Sequence, residues 1–133
     1  VSPQERAGSV MSLLWSATGR LFLALLDEPR VRKLAEEELA SAPAELRAQL
    51  DRRDPVGKLQ REIRAAGLAS VRDTNLKGIS AVSAALFDAN GHMCGALTAL
   101  GATGGFDASI DGPVATALRH EATLISAELG YTG

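Results

Sequence analysis

The sequence predicts an α+β fold, in which an antiparallel sheet is flanked by helices. Three consecutive segments, residues 68–74, 80–88 and 93–101, have the composition of strands and are joined by short links. Consecutive strands with short links pair antiparallel. Helical patterns come before these strands, and one more helix follows them. Because strands and helices do not alternate, the pattern excludes a doubly wound α/β fold.

A hairpin is predicted between residues 76 and 101, and the rest of the chain is organised around it. Its strands are Ser80–Phe87 and Met93–Gly101, and the Asp, Asn and Gly residues between them favour a tight turn. Neither face of the first strand carries a charge, so the sequence predicts a central pair of strands covered on both sides. Its many small residues let either a packed helix or a ligand come close, and helix packing is the more common of the two.

The chain before this hairpin is predicted to be mostly helical. Residues 1–8 are polar and are expected to form an arm or a short connection, and Ser9–Leu14 has the pattern of a strand. Ser16 then fits the N-cap of a first helix that extends to Leu26. Gly19 lies inside this helix at a cost of about 1 kcal/mol relative to Ala, which indicates close packing or a close approach.

Five further elements are predicted, and most of them have a clear start or stop signal. Asp27-Glu28-Pro29 opens a second helix, Ala44–Leu50 is a short amphipathic helix, and Asp54-Pro55 opens a helix that ends at Gly67. Residues 68–74 are predicted as an exposed strand. The last helix begins at residues 111–113 and ends at Gly130, with an apolar stripe of Val114, Leu118, Ala122, Ile125 and Leu129.

Composition narrows the class of protein. The 133 residues fit one domain, and a hydrophobic content of 46% with 23% charged residues is ordinary for a globular protein. A net charge of −2 argues against a dedicated nucleic-acid surface. No apolar run approaches the ~20 residues of a membrane span, and no segment has the pattern of a signal peptide. Cys94 is the single cysteine and cannot form an intrachain disulfide, so a cytoplasmic location without membrane contact is expected.

The residues with chemical potential do not form a known catalytic pattern. His92 and Cys94 share a strand face two residues apart, which is weak evidence for a catalytic pair, and His120 has no second metal ligand nearby in the sequence. The glycine-rich residues 101–105 lack the Lys-Ser/Thr of a phosphate-binding loop. We therefore expect no metal, no cofactor and no enzymatic activity.

The helix start near Ser16 is the best candidate for ligand binding. Residues 16–19 are small and offer free backbone N–H groups, and the helix dipole favours an anion there, although every helix needs a capped end. By contrast, the acidic run Glu36–Glu38 is expected to be a solvated helix face. The basic residues between positions 47 and 64 are expected to be surface charge.

Several segments of the sequence together resemble the C-terminal effector-binding domain of IclR-type transcriptional regulators. Residues 8–20 resemble the family's Leu-Pro-Leu and T-A-x-G-K/R segment, and residues 63–68 its I-R-x-x-G-aromatic segment. Residues 78–88 and 90–101 resemble its G-x-x-x-I-A-A-P-V-F-D, x-G and A-L-S-I-S-G segments. The resemblance covers roughly residues 8 to 130, and the three segments occur in the same order as in the family.

The resemblance implies a GAF-like (profilin-like) domain spanning residues 1–133 that binds a small organic acid. It also implies a homodimer or homotetramer that contacts DNA only through a winged helix-turn-helix domain, which this chain does not contain. The N-terminal strands of the effector domain are missing too, so we expect a fragment with an uncovered sheet edge or core face. Carried over by position, the effector-binding residues are Leu13, Trp15, Ala17, Thr18, Gly19, Gly78, Ile79, Ala81, Thr98 and Leu100.

Two of these positions depart from the family pattern. Ala81 replaces a residue that is often polar or a thiol, and Leu100 replaces a common serine, whereas Thr98 keeps its hydroxyl. With fewer donors and with Trp15 in its wall, the pocket is expected to prefer a less polar, aromatic acid. The alternatives are a GAF-like sensor with another output, a dimerisation domain that binds no ligand, and a small enzyme that uses His92 or Cys94.

Overall fold

The structure, a computed structural model, describes residues 11–26 and 28–133 and confirms the α+β fold. Helices cover both faces of an antiparallel three-stranded sheet. None of the helices in the described ranges is long and apolar enough to cross a membrane. The elements in chain order are α1 (Ala17–Leu25), α2 (Pro29–Ala40), α3 (Ala44–Arg47), α4 (Pro55–Ala66), β1 (Leu68–Arg72), β2 (Ile79–Phe87), β3 (Met93–Ala102) and α5 (Pro113–Glu128).

The predicted hairpin is confirmed as β2 and β3. The Asp88 carboxylate accepts hydrogen bonds from the N–H groups of Asn90 and His92, and Gly91 takes a φ of 78°, which a side chain would disfavour. Near the turn the register shifts by one residue. Phe87 is opposite Met93 and Leu86 is opposite Gly95, so the residue between them on β3 is an unpaired bulge.

The central strand β2 is buried on both faces, as its uncharged sequence predicted. On one face, called here the α1 face, Ala81 and Ala85 join a core that includes residues from α1, α2 and α4. On the opposite face Val82 and Ala84 pack with Leu118 of α5. Small side chains on β2 thus allow helices to approach both faces of the sheet closely.

Two expectations for the sheet are wrong. The strand order is β1-β2-β3, so β2 alone is central, and in the described part of the chain β3 is an edge strand. Strand β1 ends at Arg72 and is mostly buried rather than exposed, because Leu68 faces the α5 core whereas Ala69 and Val71 face the core beneath α1.

Several helix boundaries follow from local hydrogen bonds. The Ser16 side chain accepts from the Gly19 N–H and caps α1, as expected, and Pro29 is the first residue of α2. Gly67 ends α4 in the left-handed region with a φ of 73°. Helix α3 is shorter than the expected Ala44–Leu50 segment, and in α5 the expected stripe is modified, since Leu129 is exposed and Ser126 is buried. The expected arm (residues 1–8) and Asp27 lie outside the described residues.

The expected strand Ser9–Leu14 does not form in its described part. Residues 9 and 10 lie outside the described ranges, and Leu13–Trp15 form a turn that leads into α1. The N–H groups of Leu13 and Leu14 both donate to the carboxylate of Glu38 instead of to a neighbouring strand. The expectation that Glu38 is solvated is therefore also wrong.

Candidate functional site

Three hydroxyl groups from three different elements meet on the α1 face. Thr18 Oγ1 on α1 lies 2.7 Å from Thr98 Oγ1 on β3, and Ser83 Oγ on β2 lies 2.6 Å from the same Thr98 oxygen. Thr18 and Ser83 are 3.5 Å apart. The cluster forms because Ser83 and Thr98 are register partners on neighbouring strands, while Thr18 lies in the first turn of the helix that covers them.

The hydrogen-bonding capacity of this cluster exceeds its internal contacts. Three hydroxyls carry three protons, and the two short contacts use two of them. Within the described ranges, the side chains of Thr18, Ser83 and Thr98 have no other hydrogen-bond partner. The third hydroxyl proton is consequently available to an acceptor on a bound molecule. The contact between Thr18 and Ser83, at 3.5 Å, is too long to compete strongly for this proton.

From the hydroxyl cluster the α1 face of the sheet continues toward the start of β2, and the strip of this face formed by Ile79, Ala81 and Leu100 is called here the trough. Ala81 and Leu100 are register partners next to Ser83 and Thr98, and Ile79 continues the same face of β2. Ser83 and Ile79 are four residues apart, which is roughly 13 Å along a strand. Leu100 is 68% exposed although it lies on the face covered by α1, so no described element covers this end of the trough.

A second cleft begins where the trough ends. The Asp73 carboxylate accepts hydrogen bonds from the Gly78 N–H (2.7 Å) and from the Thr103 hydroxyl (2.8 Å). These three residues line a cleft of about 620 Å³ with Leu46 of α3 and with Lys77. The cleft offers the carboxylates of Asp73 and Glu45 and the ammonium group of Lys77 beside the apolar side chain of Leu46.

The turn before α1 is held by side chains from other elements. Glu38 Oε1 accepts from the N–H groups of Leu13 (3.1 Å) and Leu14 (2.8 Å), and the Thr74 hydroxyl donates to the carbonyl of Trp15 (2.6 Å). Trp15 is only 7% exposed and belongs to the core. The turn therefore has a fixed position relative to both α2 and the segment after β1.

Arg20 supports the same turn from within α1. Its Nε donates to the Leu14 carbonyl at 2.6 Å, and Nη1 donates to the Ser70 carbonyl at 3.2 Å. Burial lowers the pKa of Arg20 to about 10, although the negative charge of Glu62 acts in the opposite direction. The guanidinium is still protonated at neutral pH, and its hydrogen bonds are charge-assisted.

The start of α1 explains why a glycine is required inside this helix. A Cβ at position 19 would overlap the carbonyl oxygen of Ser12, so only glycine allows the turn to lie this close to the helix. In the described ranges no protein group accepts a hydrogen bond from the backbone N–H of Ala17 or Thr18. The helix start therefore offers unused donors beside the hydroxyl cluster.

The ten residues carried over from the resemblance occupy three different environments. Thr18 and Thr98 are in direct contact, and Ile79, Ala81 and Leu100 form the adjacent trough, in which Ala81 is buried as part of the core. Gly78 lies in the neighbouring cleft, while Trp15, Ala17 and Gly19 are buried in or beside the core and Leu13 is half-buried against it. Ser83 is the residue that the sequence analysis missed, and its position opposite Thr98 would have indicated it once the register was known.

The other chemical groups considered in the sequence are separate from this site. His92 and Cys94 are both exposed at the end of the hairpin. No group of three or more His, Cys, Asp or Glu side chains that could hold a metal ion occurs among the residues that the structure describes. The polar groups of the trough are thus neutral hydroxyls and backbone N–H groups.

Comparisons with known proteins point to one family. The family model described as "Bacterial transcriptional regulator IclR C-terminal" matches residues 1–127. The chain is similar to the crystal structure of HmgR from Pseudomonas aeruginosa, with 38% identity and a TM-score of 0.78, over 96% of this chain and 49% of that one. It is also similar to a transcriptional regulator from Alicyclobacillus acidocaldarius, with 28% identity and a TM-score of 0.70, over 92% of this chain and 49% of that one.

A more distant structure shares the fold. The repressor BlcR from Agobacterium tumefaciens is 19% identical, with a TM-score of 0.72 over 97% of this chain and 52% of that one. The chain thus spans about half the length of these solved relatives. No sequence among the curated proteins matches it significantly.

Proposed function

Because this chain belongs to the IclR C-terminal family of bacterial transcriptional regulators, we propose that it binds a small carboxylic acid in the trough beside α1. The family consists of regulators rather than enzymes, as the sequence predicted. In this proposal the acid is an effector: its carboxylate lies at the hydroxyl cluster and the helix start, and its apolar part lies along Ala81 and Leu100.

The observation that carries the proposal is the convergence of Thr18, Ser83 and Thr98. The cluster has one more donor proton than it has short internal contacts, and the adjacent helix start has unused N–H groups. A carboxylate accepts several such bonds at once, and the N-terminal end of a helix dipole stabilises its negative charge. These neutral donors would hold a single carboxylate without a salt bridge.

The apolar part of the site supports an acid with an apolar or aromatic body. Between the hydroxyl cluster and Ile79 this strip consists of side chains without polar atoms, of which Ala81 is buried and Leu100 is largely exposed. A very small, highly polar acid would leave this surface in water, whereas an aromatic ring would bury it. At about 25 cal/mol per Å² of apolar area, that burial favours the larger ligand.

A thermal-shift screen tests this proposal. The chain is melted with aliphatic acids (acetate, pyruvate), aromatic acids (benzoate, phenylacetate), and the neutral analogues benzamide and benzyl alcohol. A ligand at 100 times its Kd adds about 2.7 kcal/mol to the free energy of unfolding and raises the melting temperature. We expect a shift with benzoate or phenylacetate and none with the neutral analogues. Equal shifts with benzamide, or none with any acid, would reject the carboxylate site.

For the whole protein we propose that ligand binding changes the arrangement of subunits and of DNA-binding domains beyond this chain. Supporting this are the family of the chain and the solved relatives, which are about twice its length. Such regulation requires that the acid bind the two arrangements with different affinity. A homodimer or homotetramer fits this role, and sedimentation of the chain with and without benzoate tests it.

The alternatives make different predictions in the same experiments. A dimerisation domain without a working pocket would self-associate but show no shift with any acid. A GAF-like sensor with another output would bind the acid, but the whole protein would give no DNA binding in a mobility-shift assay. The thermal-shift and DNA-binding results together therefore distinguish the three interpretations.

A further inference from the structure

Glu38 makes an unusual connection between α2 and the turn that enters α1. One carboxylate oxygen accepts two backbone hydrogen bonds, from Leu13 at 3.1 Å and from Leu14 at 2.8 Å. On the other side of Leu14, the carbonyl accepts a hydrogen bond from Arg20. The backbone of Leu14 therefore lies between a carboxylate and a guanidinium, and both hydrogen bonds are of the strong, charge-assisted kind.

We infer that Glu38 is a positioning residue for the effector site and couples the placement of α2 to ligand binding. The inference rests on the proposed function, because it takes the trough beside α1 as the binding site. The turn held by Glu38 leads directly into Ser16 and Thr18, and Thr18 supplies a hydroxyl of the cluster. A displacement of α2 thus alters the donor geometry, and a bound acid that fixes the donors in turn restrains α2.

Apart from Glu38, helix α2 has few polar attachments to other elements, although Val31 and Leu39 pack, partly buried, against the core. Ala35 is its one buried residue, and no side chain caps its start at Glu28. Arg32 bonds to the Gln60 side chain, and its ion pairs with Glu36 and Asp54 are largely exposed. Exposed ion pairs contribute little. The two charge-assisted bonds through Glu38 are therefore a large share of the polar contacts that fix α2 relative to the site.

The neighbouring residues provide matched variants. Both hydrogen bonds use the single oxygen Oε1, so Glu38→Gln keeps an acceptor in place while removing the charge. Glu38→Ala removes the acceptor altogether. Glu37 is the next residue of the same helix and is exposed, so Glu37→Ala controls for helix propensity and net charge.

The experiment compares the 133-residue wild-type chain with these three variants. Benzoate affinity is measured by calorimetry, and amide hydrogen exchange is followed by mass spectrometry of peptides from residues 11–26, from α2 and, as an internal reference, from β2. We expect Glu38→Ala to weaken benzoate binding about tenfold, within the usual range of coupling between sites. Exchange should accelerate in residues 11–26 and in α2 but not in β2. Glu38→Gln should restore most of the affinity, and Glu37→Ala should behave like wild type.

Wild-type affinity in Glu38→Ala, or an equal loss in Glu37→Ala, would overturn the inference. If the wild-type chain binds neither benzoate nor any of the other acids of the screen, the proposed function fails, and the exchange data alone decide whether α2 and the turn before α1 are coupled. In that case, faster exchange in both peptides supports the coupling. Acceleration limited to one of them, or absent from both, overturns it.

Discussion

Replacing Thr98 by valine tests the hydroxyl cluster, because valine has nearly the same shape but no hydroxyl. The change removes the contacts to Thr18 (2.7 Å) and Ser83 (2.6 Å). Ser83 is completely buried, and its remaining partner in the cluster is Thr18 at 3.5 Å. A buried hydroxyl left without a good partner costs about 1–3 kcal/mol, so we expect unfolding at a temperature several degrees lower, measured by circular dichroism.

The same variant should also bind benzoate about tenfold or more weakly, because a hydrogen bond to a charged group contributes about 1.5–3 kcal/mol. Thr123→Val is the matched control, since that hydroxyl bonds only to a carbonyl of its own helix and the residue is exposed. Adding Ser83→Ala to Thr98→Val removes the unpaired hydroxyl and should recover part of the stability. Unchanged melting and unchanged affinity in Thr98→Val would refute the reasoning for the cluster.

Three further predictions concern two glycines whose backbone position disfavours a side chain and one carboxylate with a lowered pKa. Gly19→Ala should destabilise the fold by about 1–3 kcal/mol or more in urea denaturation, because its Cβ overlaps a backbone carbonyl, whereas Gly105→Ala, which has room, should not. Gly67→Ala should cost about 1–2 kcal/mol in the same assay, because alanine disfavours a φ of 73°. The hydrogen bond from Arg61 lowers the pKa of Asp54, so this carboxylate stabilises the fold above its unfolded pKa and the contribution is lost as pH falls through the folded pKa. Asp54→Asn keeps a capping side chain and should flatten the decline of melting temperature between pH 5 and 2; an undiminished decline would contradict this.

The local parts of the fold were predictable because short-range chemistry determines them. The turn between β2 and β3 contains Asp88, Asn90 and Gly91, and its hydrogen bonds lie within five residues. Helix α4 begins with an Asp cap followed by proline and ends with glycine. Each of these three residues acts on the helical turn next to it. Such signals are contained in the sequence, whatever the rest of the chain does.

The parts that could not be predicted depend on contacts between distant residues. Glu38 is one of three consecutive glutamates, and its partners are backbone N–H groups 24 and 25 residues earlier, which leave no pattern in side-chain identity. Ser83 is one of several small residues on β2, and only the register with Thr98 distinguishes it. The family pattern of residues therefore selected Thr18 and Thr98, which the structure brings into contact, and did not select Ser83, whose position beside them depends on strand pairing.

The bulge near the hairpin turn determines which face of the sheet carries Thr98. Side chains alternate along a strand, so the extra residue at Cys94 reverses the direction of every later side chain of β3. Without it, Leu97 would point toward α1 and Thr98 toward the apolar core beneath α5. A slip of the pairing by one residue that removed the bulge would thus exchange the two surfaces of the strand without altering any side chain, whereas deletion of Cys94 would keep Thr98 opposite Ser83. In comparisons among relatives, the register of this hairpin is consequently as informative about the proposed site as the identity of the residues at positions 98 and 100.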